Sequence, residues 1–305
     1  LVVHEVEYIH KELGFEEIHF VDDTFTLNPR PAQAICDEII ARGLHIKWHA
    51  YSRVDTINQD LLKIMKQAGC YYICFGIESG SQQVLDTIKK GINLGQAKQA
   101  VRLAAEAGMG MLLSFIFGLP GETPETARET VALAKELRDK YGANYGFHLL
   151  APLPGTEMRE KAADYGIRIL TSNWASYDAN EPITETATMS AAAVREIMAD
   201  YDRAIACAWE EMKHLAAAGD PVHKGKVQKQ LSQEFVWKLI KDDVIERLGR
   251  IKTHNAQDPE EQLSLKVSQR LAVPSVVVQQ EVGRLVERGL LKSESVDRGF
   301  VWKWS

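Results

Sequence analysis

The sequence predicts an α/β protein built on a parallel sheet that curls toward a barrel. Strand-like and helix-like segments alternate from the first residues, with roughly 25 to 35 residues between strands, the length of a βα unit. The strands read as short apolar runs, as suits strands covered on both faces. Polar residues gather directly after each strand, and barrels build their sites from those loops. A doubly wound sheet would share the alternation. The polar strand ends favour the barrel.

Each element has its own signal. Val3, Val6, Ile9 and Leu13 carry the spacing of an amphipathic helix over 2–13, ended by Gly14. Glu17 to Val21 is a strand that stops at Asp22, Asp23 and Thr24. Pro31 to Arg42 is a helix with proline at its start and Gly43 just past its end. Lys47 to Tyr51 is the next strand, before Ser52 and Arg53, and Asn58 caps a helix through Ala68. The central strand, Tyr72 to Ile77, ends on Glu78 and turns through Ser79, Gly80 and Ser81. Helices over 82–89 and 96–107 follow. Met111 to Phe117 is a strand leading into Gly118-Leu119-Pro120-Gly121-Glu122-Thr123, a helix spans 124–141, and Tyr145 to Leu150 is the fifth strand.

After Thr156 the rhythm breaks. A helix is expected over 157–165, irregular chain over 171–188, and a long helix over 190–215 capped by Ser190. Residues 219–225 form a polar, glycine-containing break, and another helix covers 227–248. The expected organisation is a barrel over 1–180, a helical extension over 181–250 and a small unit over 251–305. Two short helices and two strand-like pieces in that last unit fit a winged helix or a helical cap, and both readings stay open. Its second helix mixes signs (Glu281, Arg284, Glu287, Arg288), so nucleic acid is an unfavoured partner and protein contact a better one.

Composition sets the remaining bounds. The 305 residues carry a formal net charge of -6, with 45% hydrophobic and 26% charged. That mild acidity disfavours non-specific nucleic-acid binding by the whole chain. No apolar run is long enough to span a membrane and no signal peptide is visible, while four scattered cysteines form no disulfide framework. A reducing cytoplasm is the expected compartment. The chain opens on Leu1 inside a helical pattern, as a piece of a longer protein would.

Six short stretches then stand in order, each at or near a strand end: Phe-Val-Asp-Asp-Thr-Phe (20–25), Ser-Arg-Val-Asp (52–55), Phe-Gly-Ile-Glu-Ser-Gly-Ser (75–81), Ile-Lys-Lys-Gly (88–91), Phe-Gly-Leu-Pro-Gly-Glu-Thr (117–123) and Pro-Leu-Pro-Gly-Thr (152–156). Together they resemble radical S-adenosylmethionine (radical SAM) enzymes, and most closely the branch that carries an upstream cobalamin-binding domain. The resemblance covers about residues 1–180. It implies a partial (β/α)6 TIM-like barrel whose first strand is missing, followed by a mostly helical extension. The family's Cys-x3-Cys-x2-Cys loop, which holds a [4Fe-4S] cluster, would lie upstream of this chain. Cys70 and Cys74 mimic its first spacing, but they flank a strand that rises roughly 3.3 Å per residue, too far apart to share a cluster edge. All four cysteines are expected to be packing residues.

The resemblance also implies roles by position. Asp22, Asp23 and Thr24 would accept the amino group of the cofactor's methionine part, one of the two aspartates being only a turn cap. Arg53 would bind the methionine carboxylate or hold a loop. Glu78, with Ser79 beside it, would accept the ribose hydroxyls. Lys90, or Lys89 in its place, would meet the carboxylate or ribose. Ser114 would point inward if Phe115 and Phe117 point out, and Gly118, Pro120 and the Ala151 backbone would approach the adenine. His148 either faces substrate or is a satisfied core histidine. No catalytic residue and no metal ligand is assigned.

The implied cofactors are S-adenosylmethionine, the upstream cluster and, in the cobalamin branch, cobalamin held by an upstream domain. The implied partners are a small-molecule or lipid-like substrate and a reductant such as flavodoxin or ferredoxin. Two rivals remain. One is a carboxylate- or metal-dependent barrel enzyme using Asp22, Asp23 and Glu78. The other is a non-catalytic barrel serving a regulatory winged-helix tail.

Overall fold

Five parallel strands pair strictly in chain order, β1 (Glu17–Phe20), β2 (Lys47–Ser52), β3 (Cys70–Glu78), β4 (Gly110–Phe117) and β5 (Asn144–Leu149). A doubly wound sheet reverses its strand order at a switch point. This one never does, as expected of a barrel arc. The computed structural model describes residues 1–252, 258–296 and 299–305. They divide into two compact units, Leu1–Tyr201 and Asp202–Ser305.

In the first unit, one face of each strand is packed under helices. Ile18, Phe20, Trp48, Ala50, Ile73, Phe75, Leu113, Phe115 and Phe117 are all buried. Helices α1 (Val2–Lys11), α2 (Pro29–Ala41), α3 (Gln59–Gln67), α4 (Gln82–Thr87), α5 (Leu94–Glu106) and α6 (Pro124–Tyr141) follow the expected order. Asn28, Asn58, Asn93 and Thr123 cap α2, α3, α5 and α6 with their side chains. Trp48 is fully buried and donates its indole N–H to the Ala68 carbonyl at 2.8 Å, so the largest core ring carries no unsatisfied donor.

Several expectations are corrected beyond β5. The helix expected over 157–165 is only α7 (Glu157–Glu160), followed by turns to Gly166. The stretch expected to be irregular over 171–188 contains β7 (Thr184–Glu185), which pairs antiparallel with β6 (Arg168–Ile169) just before it. The long helix is α8 (Ala191–Ala217), and Ser190 accepts from the Ala193 N–H as expected of its cap.

In the second unit, the supposed break at 219–225 is mostly helix. Asp220 accepts the His223 N–H, Pro221 takes the first turn, and α9 runs Pro221–Lys241. A cap followed by proline is a start signal that the glycines on either side obscured. Next come α10 (Val244–Leu248), an unexpected β8 (Arg250–Lys252), α11 (Pro259–Leu271), α12 (Ser275–Glu287), β9 (Leu291–Val296) and β10 (Gly299–Trp304). The three strands form an antiparallel sheet in the order β8-β10-β9. Its core gathers Phe235, Leu239, Val244, Leu263, Val278, Val282 and Trp302.

The cysteines also differ from expectation. Cys36 and Cys70 are buried, but Cys74 is partly exposed and Cys207 is exposed. Cys70 and Cys74 both lie within β3, and no disulfide forms among the described residues. No described helix is long and apolar enough to cross a membrane.

Candidate functional site

β3 extends one residue further than its apolar run, and that residue is Glu78. The pairing of β3 with β4 slips between Gly76 and Glu78, leaving Ile77 as a bulge. Bulges re-aim side chains at strand ends. Here Glu78 takes a φ of +73°, a left-handed conformation that costs a non-glycine residue energy. The strained residue receives Lys90 Nζ on Oε1 at 2.6 Å, and each side chain of the pair is only 17% exposed.

The chain between them explains how Lys90 returns. Ser81 leads into α4, which stops with Lys89 at φ +55° and Gly91 at φ +73°. The Lys90 N–H closes back on the Leu85 carbonyl at 2.9 Å. Gln82 braces the loop, donating to the Ile92 carbonyl and accepting the Leu94 N–H, both at 3.1 Å. Arg53, at the end of β2, donates through Nη2 to the Lys90 carbonyl at 3.0 Å. It also grips Asp55 with two hydrogen bonds, at 3.0 and 2.9 Å. Those bonds hold the Asp55 carboxyl below the usual carboxylate range. Beneath Arg53, the hydroxyls of Ser52, Thr26 and Thr56 are hydrogen-bonded together.

These groups line a cleft of about 530 Å³ at the carboxyl ends of the strands, with Asp23, Thr24, Tyr51, Ser52, Arg53, Cys74, Gly76, Glu78, Lys90, Leu112, Ser114 and His148 on its walls. The structure thus brings together Asp23, Thr24, Arg53, Glu78, Lys90 and Ser114 from the sequence-derived set. It leaves Asp22 outside as an exposed residue just past β1, and Lys89 points away to Glu157 at 2.7 Å. Ser79 is fully buried, 3.3 Å from the Thr130 hydroxyl, while its Oγ accepts the Ser81 N–H. Pro120 is buried and Ala151 partly so, and neither lines the cleft. His148 is exposed on the cleft wall, not a core residue.

Two residues matter here that sequence reasoning passed over. Gly76 has no Cβ to collide with the pair: a methyl there would stand 2.6 Å from Glu78 Oε1 and 3.4 Å from Lys90 Nζ. The signal was present in Gly-Ile-Glu, since a glycine inside a strand marks close approach. Glu122, the carboxylate of the Gly118–Thr123 loop, is fully buried and accepts the Gly118 N–H at 2.6 Å. Burial pushes its carboxyl up to about 7, against the opposing pull of the Gly118 and Leu119 N–H groups. Thr188 donates to its backbone carbonyl at 2.7 Å.

Chemically, the cleft offers acceptors for hydroxyl or ammonium groups (Asp23, Glu78), hydroxyls (Thr24, Ser52, Ser114) and cations for a carboxylate (Lys90, Arg53). That donor set fits a nucleoside joined to an amino acid. It contains no reactive thiol, because burial pushes the Cys74 thiol up to about 11. Among the described residues, no group of three or more His, Cys, Asp or Glu is placed to hold a metal ion.

Comparison with known proteins finds a family that part of the chain resembles. Residues 1–134 match the Radical SAM superfamily. An uncharacterized methyltransferase of Pyrococcus horikoshii is 42% identical over 182 residues, which is 60% of this chain and 39% of the relative. The radical S-adenosylmethionine methyltransferase TsrM from Kitasatospora setae, solved with cobalamin and a [4Fe-4S] cluster, shares the fold at a TM-score of 0.50 and 24% identity. The match covers 62% of this chain and 38% of that one. The cobalamin-dependent S-adenosylmethionine radical enzyme OxsB, solved with aqua-cobalamin and S-adenosylmethionine, matches at a TM-score of 0.52 and 16% identity, over 94% of this chain and 49% of that one. The chain therefore spans half or less of the length of these three proteins.

Proposed function

We propose that this chain is the S-adenosylmethionine-binding core of a radical SAM enzyme of the cobalamin-associated branch, acting by methyl transfer or related radical chemistry on a small-molecule substrate. The observation that carries the reading is the Glu78–Lys90 pair, held at 2.6 Å in a cleft at the carboxyl end of the sheet. The match of residues 1–134 to the Radical SAM superfamily supports it. So does the likeness to the relative and the two solved structures, a methyltransferase and two S-adenosylmethionine enzymes with cobalamin.

In this reading each residue has a task that its geometry allows. Glu78 Oε1 is held by Lys90, and Oε2 accepts a ribose hydroxyl. Lys90 balances the carboxylate charge, so the site stays near neutral as the cofactor enters. Asp23 and Thr24 accept the cofactor's ammonium group. Arg53 holds the Lys90 loop through the Lys90 carbonyl and is itself fixed by Asp55. Glu122 shapes the Gly118 turn on which the adenine side rests. Bound S-adenosylmethionine supplies a reducible sulfonium and a transferable methyl group; the protein supplies binding, orientation and exclusion of water. We place the cluster ligands and any cobalamin domain outside the described residues, with a small electron carrier such as flavodoxin or ferredoxin as reductant.

Isothermal titration of the chain with S-adenosylmethionine tests this directly. Saturable binding is expected, weakened at least tenfold by Glu78→Gln while circular dichroism stays unchanged. Equal affinity in the two proteins would overturn the assignment of Glu78.

A further inference from the structure

The inner face of the sheet carries a run of rings that the cofactor cleft does not use up. His19 on β1 stacks on His49 of β2, with centroids 3.9 Å apart and planes 28° from parallel. His19 also meets Tyr51, two residues further along β2, at 4.9 Å. On the other side His49 meets Tyr71 edge-on at 6.1 Å, and Tyr71 meets Tyr72 at 6.1 Å. The Tyr71 hydroxyl donates to Glu17, and the Tyr72 hydroxyl accepts from Asn144 Nδ2 at 3.1 Å.

The ladder arises from strand alternation. Ile18 and Phe20, and Trp48 and Ala50, turn to the packed face, so His19 and His49 must turn to the other. His19 remains exposed and Tyr51 is 41% exposed. Tyr51 is also a wall of the cleft that holds Glu78 and Lys90, so the ladder and the cleft form one continuous surface. Leu112 and His148 face the same cleft from β4 and β5. His49 Nδ1 is buried with no hydrogen-bond partner among the described residues, the Glu17 carboxylate standing 4.0 Å away.

Cross-strand ring pairs do stabilise sheets, but that role needs no exposed ring opening into a ligand cleft. We propose that the ladder His19–His49–Tyr51 is the substrate wall of this site, and that the substrate is a planar, conjugated ring system laid against it. Ring faces attract flat π-systems by offset or edge-on stacking, which a saturated ring of equal size cannot match. The proposal rests on the reading of the adjoining cleft as the cofactor side.

The test uses the whole chain and two anions of equal charge, 2-naphthoate and decahydro-2-naphthoate, followed by calorimetry. The chain is expected to bind the flat anion about tenfold more tightly than the saturated one. His19→Ala and Tyr51→Ala should each weaken the flat anion about fivefold, with the thermal midpoint moving by no more than about 4 °C for the lost cross-strand ring contacts. Equal affinity for the two anions, or variants that bind 2-naphthoate like the parent, would overturn the proposal. A parallel titration with S-adenosylmethionine separates the two readings. Its failure with 2-naphthoate binding intact removes the cofactor assignment, and with it the claim that the ring ligand is a substrate, while the ring site itself stands.

Discussion

Gly76 and Glu78 are related through a missing methyl group. A Cβ at position 76 would sit 2.6 Å from Glu78 Oε1, inside any acceptable contact, and 3.4 Å from Lys90 Nζ. The ion pair therefore requires a glycine two residues upstream of the acid. Gly76→Ala is expected to push Glu78 away from Lys90 and weaken S-adenosylmethionine at least tenfold. Far-ultraviolet circular dichroism should be unchanged. An alanine variant that binds as the parent does would show that the pair is free to move.

Glu78 itself stores backbone strain at φ +73°. Glycine adopts that conformation without penalty, whereas left-handed geometry costs other residues about 1–2 kcal/mol. Glu78→Gly gives up the Lys90 contact but gains backbone relief, so its unfolding free energy should stay within about 1 kcal/mol of the parent. Cofactor binding should nevertheless be lost. Urea unfolding beside ligand titration would separate the two, and a large loss of stability would mean that the pair, not the strain, dominates.

Gly80 governs how closely α6 approaches the sheet. A Cβ there would lie 2.6 Å from Thr130 Cα and 2.7 Å from the Glu129 carbonyl, both backbone atoms that cannot swing aside. The Gly80 N–H also donates to the Thr130 hydroxyl at 2.9 Å. Gly80→Ala should cost about 2–3 kcal/mol by forcing the helix outward. Denaturant midpoints would show it, and an unchanged midpoint would contradict the tight packing.

Glu122 makes stability depend on pH. Its ordinary value of 4.5 rises to about 7 in the folded chain because the carboxyl is buried. A carboxyl raised in this way favours folding while protonated. The contribution is complete below 4.5 and disappears as pH rises through about 7. Relative to Glu122→Gln, whose amide does not titrate, the parent should lose about 3 kcal/mol between pH 4.5 and 8. Parallel pH profiles for the two proteins would refute this.

Much of the barrel was legible because its strands are covered by helices. Phe75 and Ile77, or Phe115 and Phe117, have no solvent face to encode and so read as plain apolar runs. Glu78 was legible because an acid that ends such a run has one place to go. Lys90 was placed in the site by the resemblance, but its pairing with Glu78 was not foreseen. Lys90 returns across α4 by a left-handed Lys89 and Gly91, a path that residue type alone does not specify. Cys74 and Cys207 were misread for the same reason, since a small, mildly apolar residue fits either face of an element. The ring ladder also escaped. His19, His49 and Tyr51 sit on strands too short for their alternation to stand out, and their meeting depends on the register that sets His19 opposite His49.

The strictly sequential strand order has a consequence for assembly. Each new strand finds its partner already in place as the strand before it, so the sheet can grow by accretion as the chain leaves the ribosome. Within this five-stranded sheet no central strand has to be threaded late between two others, and each connection to be closed is a crossover of one or two helices. An interrupted chain of this kind would still present a growing edge, short and ready for the next strand.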